Sequence, residues 1–204
     1  MKTSDFIRRL DIRFDTYSLK EDWFNLVDNN LLDGKIKHNQ IGLTHTKDCE
    51  EDNKWYQGVG SLLWDESWGL KERDFTEVNI ELEKLCPYLW KVCNEMKSKF
   101  PIGRIRIMTM KPNTSYPIHK DFERRWHLPI IAPQNSFYYV RTNEMNTFSD
   151  DVLEDSHGIG FHIPENGFVY ETENSYSHTA VNTSSQRSKN SRDRVHLLFD
   201  EAIN

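Results

Sequence analysis

The sequence predicts a mainly β protein with flanking helices, in which short antiparallel strands form a sandwich or a barrel. Two observations carry this prediction. After Pro101, short runs of apolar and aromatic residues are separated by turns rich in Pro, Gly, Asn and Ser. Before Pro101, apolar residues recur at helical spacing. Six or more strands at such intervals are typical of an antiparallel sandwich or barrel, against which the preceding helices would pack.

Two helical segments are expected before Pro101. The first, SLKEDWFNLVDNN, opens at Ser18 as an N-cap and places Trp23, Leu26 and Val27 on one face. The second, VNIELEKLCPYLWKVCNEMKSKF, contains Pro87, which either kinks this helix or starts a new one. Between the two segments, NQIGLTH and GVGSLLW are short strand candidates.

The strands expected after Pro101 each lie between turn residues. The turn IPENGF connects two of them. The predicted strands are RIRIMTM, NSFYYVR, GIGFHI, GFVYET, SHTAVNT and RVHLLFD.

Length and charge limit the classes of protein that remain. A chain of 204 residues can bury a sizeable core, so we expect a single domain over 1–204, in which a helix-rich N-terminal region (1–100) packs on a β core (101–204). The formal net charge is −6, which provides no general basic field for a nucleic acid or an anionic membrane. We therefore expect neither as a partner.

The cysteines indicate a reducing compartment. There are three, Cys49, Cys86 and Cys93, and none forms a CxxC pair, which argues against a disulfide framework or a zinc ribbon. No N-terminal export signal and no apolar run of membrane-spanning length are recognisable. The sequence therefore predicts a cytoplasmic protein.

The segment YPIHKDFERRWHLPI contains a candidate metal site. His119 and Asp121 follow a predicted strand and turn, where residues two apart lie on the same side of an extended chain. His178 begins a later predicted strand. Two imidazoles and one carboxylate form the facial triad that suits non-haem Fe(II), with the remaining coordination positions open, although zinc could also bind this set. Alone, the His-x-Asp pair is a weak signal.

Arg194 begins the last predicted strand, RVHLLFD. Alternation places Arg194, His196 and Leu198 on one face of this strand. A buried arginine needs an anionic partner, and a dicarboxylate could supply one through a bidentate contact. The alternative is an arginine at the strand end that pairs with Asp193 or faces solvent.

Together these motifs resemble the aspartyl/asparaginyl β-hydroxylase family of Fe(II)- and 2-oxoglutarate-dependent dioxygenases. The resemblance covers roughly residues 100–200 and is carried by HKD, RWHLPI, PENGFVYETENSYSHTAVN and RVHLLFD. It implies a double-stranded β-helix, the jelly-roll architecture that cupins share. It also implies iron binding by His119 and His178, cosubstrate contacts by Arg125 and His127, and binding of the far carboxylate of 2-oxoglutarate by Arg194.

The sequence departs from this family at two points. Asp121 follows the first histidine, whereas some members lack that carboxylate, so the expected metal ligands are His119, Asp121 and His178. The interval from His178 to Arg194 is long, and it contains Arg187 and Arg192 as rival clamps for 2-oxoglutarate. Arg194 is preferred because it alone starts an apolar strand.

The resulting prediction is an Fe(II)- and 2-oxoglutarate-dependent dioxygenase that uses dioxygen to hydroxylate an amino acid or a peptidyl side chain. One alternative is a cupin-like metalloprotein that isomerises or binds a small molecule and needs no dicarboxylate clamp. A second is a non-catalytic β-sandwich in which the His-x-Asp pair is incidental. The substrate and the oligomeric state stay open.

Overall fold

The described part of the chain forms two large antiparallel sheets and one short two-stranded sheet, flanked by helices. The computed structural model describes residues 5–28, 39–60, 62, 69–121, 124–141, 158–185 and 192–202. Among these residues, the short 3-10 helices Glu51–Asn53 and Glu72–Asp74 lie in the connections. The helices are α1 (Thr16–Asp28), α2 (Glu81–Leu85) and α3 (Pro87–Lys99). The strands are β1 (Ile7–Arg13), β2 (Gln40–Gly42), β3 (Thr44–His45), β4 (Glu77–Val78), β5 (Ile102–Met110), β6 (Thr114–Ser115), β7 (Arg125–Ile131), β8 (Ser136–Arg141), β9 (Gly158–Phe161), β10 (Phe168–Thr172), β11 (His178–Asn182) and β12 (Arg194–Glu201).

The strand order defines a double-stranded β-helix. One sheet has the order β1-β10-β7-β12-β5-β2 and the other has the order β6-β11-β8-β9. From β5 onward the chain passes back and forth between the two sheets, so that each holds four of the eight strands of a jelly roll. Strands β1 and β2 extend the larger sheet at its two edges. The predicted fold class is confirmed.

The helices cover one face of the larger sheet. Val195, Leu197 and Phe199 on β12 share a buried core with Leu26 of α1 and Val92 of α3. Alternation along β12 therefore directs the other side chains, beginning with Arg194, into the space between the two sheets. Within the described residues, no helix combines the length and apolar character needed to cross a bilayer.

The helix boundaries differ in detail from the sequence prediction. Helix α1 begins at Thr16, and its cap is Asp15, whose Oδ2 accepts a hydrogen bond from the N–H of Ser18 at 2.7 Å. Ser18 is thus inside the helix. Val27, predicted on the buried face, is 41% exposed. Pro87 starts α3, because its missing N–H has no intrahelical partner at that position.

The prediction missed four strands and placed one wrongly. β1, β4, β6 and β7 were not expected, and the described residues of GVGSLLW form no strand. Its Gly58 and Gly60 have φ values of +77° and +71°, which lie in the left-handed region and are incompatible with an extended strand. β7 contains Pro129, which lies beside a register shift between β7 and β12, so the missing N–H falls where the pairing is already irregular.

Candidate active site

Backbone pairing brings the three predicted metal ligands together. His119 and His178 exchange two backbone hydrogen bonds, of 3.0 and 2.8 Å, across an isolated bridge. The N–H of Asp121 donates to the carbonyl of Asn174 at 3.1 Å. As a result, one ligand atom from each of His119, Asp121 and His178 lies within 4.8 Å of the other two. Two ligand atoms about 2.1 Å from one ion lie at most about 4.2 Å apart, so these side chains would move closer together to hold it.

Hydrogen bonds orient the two imidazoles. Nδ1 of His119 lies 2.8 Å from the carbonyl oxygen of Pro117, and Nδ1 of His178 lies 2.9 Å from that of Tyr176. Because a carbonyl oxygen only accepts, Nδ1 carries the proton in both rings. Nε2 of each ring lies 3.5 Å from Oδ2 of Asp121. With Nδ1 donating, Nε2 of each ring faces the carboxylate and is the nitrogen available to a metal ion.

Asp121 is an anion in this setting. Burial raises the pKa of Asp121, but His119, His178 and Arg125 outweigh burial and hold that pKa far below its usual range. The buried atoms Oδ2 of Asp121 and Nε2 of His178 have no well-formed hydrogen bond within the described residues, although Nη2 of Arg125 lies 2.9 Å from that oxygen. Two imidazole lone pairs and one carboxylate oxygen thus fit a divalent metal ion such as Fe(II) or zinc.

Arg194 lies in the interior between the sheets. It is 3% exposed, and among the described residues it pairs with no carboxylate. Its Nη2 donates to Nδ1 of His196 at 3.0 Å. Burial lowers the pKa of Arg194 to about 10. Arg192, an alternative candidate for the 2-oxoglutarate clamp, is exposed. Arg187, the other alternative, lies outside the described residues.

A series of rings connects the candidate metal site with Arg194. The ring of Tyr138 lies 5.3 Å from that of His178 and 5.9 Å from that of His127, measured between centroids. His127 in turn lies 5.9 Å from His196. Both ring nitrogens of His127, and Nε2 of His196, are buried without a hydrogen bond from the described residues. Burial lowers the pKa of both histidines well below 6.5, so both rings are neutral.

Arg125 occupies a different environment from Arg194. Its Nη2 lies 2.9 Å from Oδ2 of Asp121, and its Nε donates to Oδ1 of Asp200 at 2.5 Å. Asp200 is fully buried and also contacts Arg106 at 2.6 Å and Arg104 at 3.6 Å. Burial opposes ionisation of Asp200, but these arginines lower its pKa below the usual range.

Sequence reasoning did not select Tyr138, His196 or Asp200. A signal existed for two of them, because alternation along RVHLLFD places Arg194, His196, Leu198 and Asp200 on one face. Tyr138 carried no distinguishing signal, since alternating aromatic residues in a strand are common in ordinary cores.

The fold and the site define a double-stranded β-helix protein with a candidate metal centre of two histidines and one aspartate. The family model of aspartyl/asparaginyl β-hydroxylases matches residues 22–153. This match spans more than half of the chain, which therefore belongs to the aspartyl/asparaginyl β-hydroxylase family. The predicted family is confirmed, and with it the hydroxylase class at the level of the family. The matched range includes His119, Asp121, Arg125 and His127 and ends before His178 and Arg194.

Solved structures give distant similarities. AviO1 from Streptomyces viridochromogenes Tue57 is 13% identical, with 97% of this chain and 90% of that chain covered and a TM-score of 0.49. A Pseudomonas putida prolyl-4-hydroxylase is 7% identical, with 97% and 93% covered and a TM-score of 0.42. A 2OG-Fe(II) oxygenase family oxidoreductase from Burkholderia pseudomallei is 15% identical, with a TM-score of 0.36 and 48% of this chain covered.

The match spans only 43% of the length of the Burkholderia protein. Because these TM-scores are below 0.5, the fold assignment rests on the strand order. A search of curated protein sequences finds no match.

Proposed function

We propose that this protein is an Fe(II)- and 2-oxoglutarate-dependent dioxygenase that hydroxylates an amino acid or a peptidyl side chain. His119, Asp121 and His178 are the proposed metal ligands. Arg194 is the proposed partner of the far carboxylate of 2-oxoglutarate. His127 is proposed to contact the same cosubstrate.

One observation carries this proposal: the interior between the sheets holds a buried cation and several buried polar atoms that lack partners. Arg194 has no carboxylate partner among the described residues, and the nearby His127 and His196 leave ring nitrogens unpaired. Unpaired buried polar groups are costly, so their clustering supports a bound polar ligand. A dicarboxylate with one end at Arg194 could accept hydrogen bonds from Arg194, from Nε2 of His196 and from the one ring nitrogen of His127 that carries a proton.

The residues around this interior would divide the work of binding. His119, Asp121 and His178 would hold the ion on one side and leave its other positions open. Arg194 would fix the far end of the cosubstrate through its planar fork. Fe(II) with 2-oxoglutarate and dioxygen supplies the oxidative chemistry, in which the 2-oxo acid becomes succinate and carbon dioxide and one oxygen atom enters the substrate.

The exposure of the two histidines gives a direction for substrate entry. The side chain of His119 is 43% exposed, whereas that of His178 is 3% exposed. The cosubstrate belongs on the buried side, toward Arg194, so the substrate would approach from the side of His119. An amino acid or peptide substrate is proposed from family membership.

Anaerobic titration tests this proposal. Fe(II) is added first and 2-oxoglutarate second, while the visible charge-transfer absorption of the chelate is recorded. The dioxygenase gives this band in the wild type and loses it in His119→Ala. Metal binding without any effect of 2-oxoglutarate would favour the cupin-like metalloprotein instead, and failure to bind metal would contradict both functions.

Three further expectations stay proposals. The shared core of α1, α3 and the larger sheet supports one folding unit over 1–204. The cytoplasmic location, and the absence of nucleic-acid and membrane partners, follow from sequence composition. All three cysteines are free thiols in the structure, which is compatible with a reducing compartment.

A further inference from the structure

Arg125 links the candidate metal ligand Asp121 to a second, deeper carboxylate. Two different edges of its guanidinium are used, since Nη2 faces Asp121 at 2.9 Å and Nε faces Asp200 at 2.5 Å. The guanidinium is planar and its N–H groups form a rigid fork. A fork that is fixed at one edge therefore restricts the orientation of the carboxylate at its other edge.

The fixed edge is firmly anchored. Asp200 is fully buried on β12 and also contacts Arg106 and Arg104. Arg104 pairs in turn with the buried Glu72 at 2.5 Å, and it donates hydrogen bonds to two backbone carbonyls. Asp200 is therefore held by partners that do not touch the candidate metal site.

We propose that Arg125 and Asp200 are positioning residues, which hold the carboxylate of Asp121 in the orientation that a metal ion requires. The proposal rests on the proposed function, because it needs Asp121 to be a metal ligand. Neither residue is assigned to contact the reacting atoms. Asp200 acts through Arg125, and Arg125 acts through Asp121.

Charge balance explains why a cation can stand so close to a metal site. An isolated guanidinium next to Asp121 would repel a divalent ion. In this structure Asp200 contacts Arg125 directly and offsets part of its charge, while it also contacts Arg106 and Arg104. Removing Asp200 would leave uncompensated positive charge near the ion and would also release the anchored edge of the fork.

The resemblance assigns Arg125 another role, namely contact with the cosubstrate. The two roles predict different losses. A positioning residue weakens metal binding when it is removed, whereas a cosubstrate contact weakens 2-oxoglutarate binding and leaves metal binding intact. Arg194 has the environment expected of a cosubstrate contact, because it is a buried cation without a carboxylate partner among the described residues. Arg125 does not have this environment, because it contacts both Asp121 and Asp200.

The neighbouring ion pair provides a matched control. Arg124 contacts Glu201 at 2.6 Å, and these two residues directly adjoin Arg125 and Asp200 in the chain. The side chain of Arg124 is 51% exposed, because alternation turns it away from the interior. Arg124→Gln therefore removes the same type of group from the same region without changing the surroundings of Asp121.

The experiment measures Co(II) affinity and the visible d–d spectrum of the Co(II) protein in the wild type, Arg125→Gln, Arg125→Lys, Asp200→Asn and Arg124→Gln. Loss of groups that support a metal ligand typically weakens metal affinity about 10- to 100-fold, which is the loss expected for Arg125→Gln and Asp200→Asn. Their d–d bands should shift, since these report the coordination geometry. Arg125→Lys keeps the charge and should recover part of the affinity, and Arg124→Gln should match the wild type.

A second titration, with 2-oxoglutarate at saturating Co(II), separates the two roles of Arg125. Positioning predicts nearly unchanged 2-oxoglutarate affinity once metal is bound. Wild-type metal affinity in Arg125→Gln with weakened 2-oxoglutarate binding would overturn the inference, as would tighter metal binding or an equal loss in Arg124→Gln.

Near-UV circular dichroism identifies variants that do not fold. If Asp200→Asn fails to fold, the two Arg125 variants decide, because Arg125→Lys retains a cation between the two carboxylates. If the wild-type protein binds no metal, the proposed function itself is contradicted. If the wild type and the Arg125 variants bind metal with the same affinity and the same spectrum, only this inference is contradicted.

Discussion

Replacement of Arg194 by methionine should stabilise the protein without ligand and abolish most of its affinity for 2-oxoglutarate. Burial lowers the pKa of Arg194 from its ordinary value to about 10. Since a tenfold change in an equilibrium constant corresponds to about 1.4 kcal/mol, keeping this buried guanidinium charged costs the ligand-free protein roughly 3 kcal/mol. This burial lowers the free energy of unfolding at every pH below about 10, because the arginine is charged there in both the folded and the unfolded state.

Arg194→Met removes this cost and also removes the hydrogen bond to His196, which contributes about 1 kcal/mol. The net gain of roughly 2 kcal/mol corresponds to a rise in melting temperature of about 4 to 8 °C for a chain of this size. Truncating one partner of a buried charge pair costs about 2 to 5 kcal/mol of binding energy, or roughly 30- to 5,000-fold in the dissociation constant. Fe(II) affinity should change little, because a guanidinium does not bind cations.

The assays are thermal melting without ligand and anaerobic titration of the Fe(II)-loaded protein with 2-oxoglutarate. Arg192→Ala is the control, since Arg192 is exposed and should affect neither quantity. Arg194→Lys should recover only part of the affinity, because an ammonium lacks the planar fork. Unchanged affinity for 2-oxoglutarate in Arg194→Met would refute the clamp, and a lower melting temperature would refute the electrostatic reasoning. A larger loss in Arg187→Ala or Arg192→Ala would place the clamp earlier in the chain.

Three further outcomes are expected. His119→Ala should abolish succinate formation coupled to substrate oxidation, measured by chromatography; undiminished turnover would end the dioxygenase proposal. Glu72→Gln should lower the free energy of unfolding by roughly 3 kcal/mol, because it leaves Arg104 without its nearest carboxylate. Urea titration measures this loss, and a change below about 1 kcal/mol would contradict it. Burial lowers the pKa of His196 well below 6.5, so below pH 6.5 the ring gains a proton in the unfolded chain before it does so in the folded protein. The contribution of this residue to the free energy of unfolding is therefore fully present above pH 6.5 and decreases by up to about 1.4 kcal/mol for each pH unit below it. Urea midpoints at pH 7 and pH 5 should show a flatter dependence in His196→Gln, and equal dependences would count against a neutral buried ring.

The sequence predicted the strands whose alternation is regular and whose ends carry turn residues, such as β11 and β12. It missed β1, because three arginines and one aspartate among seven residues look like a polar segment. An edge strand tolerates such residues, since one side of its backbone and some of its side chains remain in solvent. β7 was missed because a proline argues against a strand until a register shift is known.

The candidate site was predictable only where its residues are local or follow a strand pattern. His119 and Asp121 are two residues apart, and alternation gives the inward face of Arg194. The contact between Arg125 and Asp200 joins residues 75 positions apart. Alternation shows that Asp200 faces inward, but the residue opposite is determined by the register of β7 and β12, which the sequence alone does not supply.

The backbone bridge between His119 and His178 has a consequence for metal selectivity. Because backbone hydrogen bonds rather than the ion set the spacing of these histidines, the site is preorganised and can exchange metals without unfolding. Its open nitrogen and oxygen ligands follow the general affinity order, in which Co²⁺, Ni²⁺ and Cu²⁺ bind more tightly than Fe²⁺. Under the proposed function, protein purified on a nickel resin would exchange toward nickel and lose activity while staying folded. The proposed activity would then be restored by chelation followed by anaerobic loading with Fe(II).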